Sequence, residues 1–127
     1  MILPKDHHAL AANDDPRADT LARAVRLRNA TVGHFNDPLV LRVAAEIGEA
    51  FLLRTDAVAL TPIQAMAVAV RVSYALGVAT HRMLVVTSDG DPDCRDLDAF
   101  RAAYAALVDT GIEVASQMMD TDGETVQ

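Results

Sequence analysis

With 127 residues, 51% of them hydrophobic, and a single cysteine, the chain can bury the core of one domain. Cys94 alone excludes an internal disulfide and points to a reducing cytoplasm. A formal charge of −7 disfavours nucleic acid as a general partner, because neutralising phosphates takes a basic footprint.

Residues 1–14 are polar and aperiodic and read as a flexible N-terminal segment. Pro4, Lys5, Asp6, His7 and His8 stand where a secretory signal would need an apolar core. The His7–His8 pair has no third ligand near it in sequence and is read as solvated. Four pairs then punctuate the chain: Asp15-Pro16, Asp37-Pro38, Thr61-Pro62 and Asp91-Pro92. The Asp or Thr oxygen can accept from the free amides of a first helical turn. Proline next to it has no N–H to leave unpaired and a φ already set for helix. The expected fold is therefore all-α, a bundle of four main helices at about 16–31, 38–54, 62–86 and 92–119. They form one domain over 15–119, and residues 120–127 are a polar C-terminal tail.

The first helix has a narrow apolar stripe, Leu21, Val25 and Val32, and Gly33 to stop it. It is basic: residues 17–32 hold Arg17, Arg23, Arg26 and Arg28 against Asp19, whereas residues 33–127 hold six arginines against fourteen acidic residues. Arg17 and Arg28 flank the stripe and are expected to pair with carboxylates of the bundle. Arg23 and Arg26 point away from it and are expected to meet an acidic protein partner. A nucleic-acid-binding regulator using these arginines is the alternative reading of the same cluster.

On the second helix Val40, Val43, Ile47 and Phe51 form the main apolar stripe, while Arg42, Glu46 and Glu49 share the opposite face. Two glutamates at i and i+3 could hold Mg²⁺ with carboxylates from another helix. The stretch Ala45-Glu46-Ile47-Gly48-Glu49 resembles the first metal motif of the all-helical MazG-like nucleotide pyrophosphohydrolases. The resemblance implies metal-dependent hydrolysis centred on Glu46 and Glu49. That family carries Glu-x-x-Asp on the next helix, where this chain reads Gln64-Ala65-Met66-Ala67, without a carboxylate. The preferred reading is a solvated charged face, with no catalytic residue, no metal and no cofactor assigned.

The third helix opens on a capping box, Thr61 with Gln64. Gln64, Arg71 and Arg82 collapse onto one polar stripe. Ile63, Met66, Val70, Tyr74 and Gly77 occupy one side, with His81 on the same face. No serine, cysteine or acidic residue stands at helical spacing beside His81, so it is read as a core or interface residue rather than a catalyst. The apolar run Ile63–Val86 is interrupted by Arg71, His81 and Arg82 and reads as a buried helix, not a membrane span. A helix apolar almost all round is either the central element or part of a subunit interface. It offers no recognition surface for DNA. Val85-Val86 could also form a short strand.

The fourth helix begins between Pro92 and Asp96. Leu97, Phe100, Tyr104, Leu107, Gly111, Val114 and Met118 alternate three- and four-residue steps, a seam for nearly antiparallel packing. Asp89, Asp91 and Asp93 alternate like a calcium loop, but Cys94 and Phe100 stand where glycine and glutamate would be needed. Gly48, Gly77 and Gly111 lie inside helices, at a cost of about 1 kcal/mol each against alanine. Close helix crossings would explain them.

These patterns point to a cytoplasmic, self-associating helical protein, a homodimer or larger, that acts through a protein partner as a regulator, adaptor or accessory subunit. Met66, Val70, Tyr74, Gly77, His81, Phe100, Tyr104, Leu107 and Gly111 are expected in its core or interface, and Arg23 and Arg26 at the partner surface.

Overall fold

A computed structural model describes the backbone of residues 16–126 and the side chains of residues 16–120. Among the described residues the protein is all-α and 87% helical, with four long helices and one short one. They are α1 (Pro16–Val32), α2 (Pro38–Ala57), α3 (Pro62–Thr87), α4 (Pro92–Arg95) and α5 (Leu97–Val126). The expected features of residues 1–14, including His7 and His8, lie outside the described residues.

The starts of α2, α3 and α4 follow the Asp/Thr-Pro logic. Asp37 accepts from the Leu39 amide, and Asp91 accepts from the Asp93 amide. Thr61 and Gln64 form both halves of the capping box at 3.2 and 3.0 Å. A further start lies at Asp96, which has extended backbone and whose carboxylate accepts from the Ala99 amide at 3.0 Å. Asp96 therefore closes α4 and caps α5, dividing what the sequence reads as one helix.

The third helix ends within one residue of its expected end, with no strand at Val85–Val86, whereas the last helix runs on. Val85 and Val86 are helical, since α3 persists to Thr87 and turns only at Ser88–Gly90, where Asp89 and Gly90 take positive φ. The α5 backbone runs to Val126 instead of stopping near Met119. No proline follows Met119, and each residue added to an existing helix gains one hydrogen bond, so polarity alone does not end it.

Where the sequence suggests one bundle over 15–119, the contacts gather into two compact units. One comprises α1 up to Arg28 together with the residues from Gly90 onward; the other runs from Asn29 to Asp89. In the first unit, Ala24 of α1 packs with Ala99 and Ala103 of α5, and Leu27 lies against them. Small side chains let the two helices approach closely. Phe100 is also buried and stacks on Tyr104 with ring centroids 5.5 Å apart. The α1 residues turned inward are thus Thr20, Arg23, Ala24 and Leu27, while the expected stripe of Leu21, Val25 and Val32 is exposed.

The second unit is different in kind. No residue between Asn29 and Asp89 is buried. On α2, Val40, Val43 and Ile47 are exposed and Phe51 is half-buried. On α3, Gly77, His81, Leu84 and Val85 are half-buried, whereas Ile63, Met66, Val70 and Tyr74 stand in solvent. The expectation that α3 is a buried helix is corrected within the single chain. By length and composition alone, α3 is long and apolar enough to cross a membrane.

Candidate functional site

Three surfaces carry the residues singled out from the sequence. The first joins α1 to the α4–α5 junction. Arg23 donates to Asp96 at 3.1 Å, and Thr20 donates to the same carboxylate oxygen at 3.2 Å. Arg26 grips Asp93 through two parallel bonds, Nε to one oxygen at 2.6 Å and an amino group to the other at 2.8 Å. Such forked pairs fix orientation as well as distance.

The electrostatics follow from these contacts. The Asp93 carboxyl titrates below the ordinary carboxylate range because Arg26 donates to its charged form. Asp96 is lowered chiefly by the Ala99 amide, then by Arg23 and Thr20. Arg26 is raised by its bond to Asp93.

Arg23 and Arg26, expected at a partner surface, meet an acidic surface of their own chain. The inward face of α1 centres on Ala24, not on the larger apolar residues, and that rotation brings both arginines to α4. The carboxylates Asp93 and Asp96 were missed as their partners. The signal was available in the charge pattern: four arginines on one helix and four aspartates between 91 and 98 are complementary.

The second surface is a shallow groove along α2, lined by Arg42, Ala45, Glu46, Glu49, Ala50 and Leu53. Glu46 and Glu49 share it, as their spacing requires, and both are exposed. Among the described residues, no three His, Cys, Asp or Glu side chains gather to hold a metal ion. The aspartates of the calcium-like run serve the backbone instead: Asp91 caps α4 and Asp93 holds Arg26.

The third surface is a groove along α3, lined by Arg71, Tyr74, Ala75, Val78, Ala79 and Arg82. Each groove is floored by one helix, so neither encloses a small molecule. Around the α3 groove, nine large apolar side chains from Ile63 to Val86 are between 39% and 79% exposed. On α5 the seam divides: Phe100 is buried and Tyr104 and Leu107 are half-buried, but Gly111, Val114 and Met118 are exposed. A Cβ added at Gly111 or Gly48 would meet no atom within 4 Å. The close crossing expected at Gly111 is therefore not made by this chain.

No family model matches the chain, and neither a curated protein nor a solved structure is significantly similar to it.

Proposed function

We propose that the protein self-associates through its exposed helical faces and works by protein–protein interaction, as a regulator, adaptor or accessory subunit. One observation carries this reading: α2 and α3 present sixteen large apolar side chains to solvent and bury none. Nine of them are on α3, and large contiguous apolar patches are rare on soluble monomers. Interior glycines with open space beside them fit the same reading, since a second helix gives them a packing role that this chain does not.

A lipid bilayer is the other medium that could cover α3. Arg71 lies near the middle of the helix and Arg82 lies eleven residues on, and a charge at a membrane helix centre costs about 2.5–3.5 kcal/mol even on insertion scales. The other exposed apolar helix, α2, carries Arg42, Glu46, Glu49, Arg54 and Asp56. Both features favour protein. Sedimentation equilibrium at micromolar concentration tests the proposal, with an expected mass at least twice the 13.6 kDa of the chain. A single species at 13.6 kDa, or flotation with phosphatidylcholine vesicles, would overturn it.

A further inference from the structure

Resting on that self-association, we infer that the occupant of the α2–α3 surface is a second copy of this chain, with the α3 arginine stripe of each protomer lying along the α2 glutamate stripe of the other. The two helices differ in charge. From Pro62 to Thr87, α3 carries Arg71 and Arg82 and no Asp or Glu. On α2, Glu46 and Glu49 share one groove with Arg42 and leave it net acidic. Arg71, Arg82, Glu46 and Glu49 are all exposed, and among the described residues none of their side chains has an ion pair or hydrogen bond.

The two stripes also match in build. Arg71 and Arg82 bracket three turns of one α3 face, about 16 Å along the axis, with Ala75 and Ala79 between them. Ala45 and Ala50 play the same part beside the α2 glutamates. Alanines on both floors let helices approach while long charged side chains reach across the edges. Because the basic and acidic stripes belong to one chain, a two-fold arrangement satisfies both at once, each α3 on the partner's α2. A different protein would need its own paired stripes to do so. Large exposed apolar side chains flank the stripes on both helices and would be covered in such a pairing.

The test is complementation by mixing. One variant carries Arg71→Glu with Arg82→Glu, making both of its stripes acidic. The other carries Glu46→Arg with Glu49→Arg, making both basic. Each alone is expected to self-associate at least about tenfold more weakly than wild type, from like-charge contact. An equimolar mixture is expected to form a heterodimer of near wild-type affinity, read by native mass spectrometry on tags of different mass. A milder pair, Arg82→Glu and Glu46→Arg, run in parallel, should complement in the same way and guards against misfolding of the double variants. Failure of both mixtures to associate overturns the inference, since pairing within one chain is not rescued by mixing. Undiminished self-association of each variant alone also overturns it and moves the interface to another face, leaving self-association itself intact. A wild-type protein that sediments as a monomer overturns both.

Discussion

The α1–α4–α5 unit and the Asn29–Asp89 unit are drawn from the same alanine-rich chain, yet they hold together by different means. Among the described residues of the first, the side chains that disappear from solvent are mostly small: Ala24, Ala99 and Ala103, with Phe100 the one large residue. Beside them a capped, doubly ion-paired junction fixes where α4 ends and α5 begins. In the second, two long helices carry far more apolar area and bury none of it. Burial here tracks close approach and polar complementarity, not the size of the hydrophobic stripe. The unit with the greater apolar content is the one left needing something else to cover it.

The sharpest way to break this contrast is to overfill the covered contact. Ala99 is 0% exposed between α1 and α5. Ala99→Leu should lower unfolding free energy by about 1–3 kcal/mol, the cost of overpacking a closed site. Urea denaturation measures it, and a neutral result would mean that the first unit has no tight core. Comparable in size is Val70→Asp on α3. At an exposed position of a monomer the change should stay within about 0.5 kcal/mol. Where self-association covers Val70, the dimer Kd should rise tenfold or more, about 1.4 kcal/mol, with helicity unchanged by circular dichroism.

Next in size is Asp96→Ala, which removes the α5 cap together with the carboxylate that Arg23 and Thr20 hold. A lost N-cap costs about 0.5–2 kcal/mol. Asp96→Asn keeps an oxygen for the Ala99 amide and should cost less. Equal losses in the two variants would assign the stability to the ion pair rather than the cap. Smaller still is Gly111→Ala. With open space beside Gly111, the substitution should raise the stability of an isolated chain by up to about 1 kcal/mol. If instead it raises the dimer Kd while helix propensity improves, a second copy crosses at Gly111 and α5 joins the interface.

The smallest expected effect is the pH dependence. Asp93 and Asp96 both have folded-state pKa values below those of the unfolded chain. Their stabilisation is therefore complete above the unfolded carboxylate range and is lost as pH falls through the folded values, below about pH 4. Arg26, raised from an already high value, adds no change in that window. Asp93→Asn combined with Asp96→Asn should flatten the acid limb of a thermal melting profile. An unchanged limb would locate acid sensitivity elsewhere in the chain.

Much of the helical layout follows from local chemistry that any reader of the sequence can apply. The Asp/Thr-Pro pairs, the Thr61–Gln64 box and the α5 seam need only residues within one or two turns of each other, so helix existence and most boundaries were legible. Legibility failed where a face had to choose its neighbour. Leu21, Val25 and Val32 look like the inward stripe of α1 because they are large and apolar, but helices joined through alanines approach more closely and leave room for Arg23 and Arg26 to reach α4. For Glu46 and Glu49, the i, i+3 spacing correctly placed both on one face, while what stands opposite them depends on residues far away in sequence or on another molecule.

By itself, the sequence determined an all-α chain, most of its helix starts, the basic excess of α1, and an apolar excess on α3. These are properties of composition and of hydrogen bonds a few residues long. Tertiary structure alone decided that Asp96 splits the last helix, that Arg23 and Arg26 are consumed by Asp96 and Asp93, and that α2 and α3 remain uncovered within one chain. The two arginine pairings rest on contacts spanning some seventy residues of sequence, the split at Asp96 on such contacts together with a local cap, and the uncovered faces on the lack of a buried neighbour. Periodicity tells which side of a helix is apolar; only packing tells which side is closed.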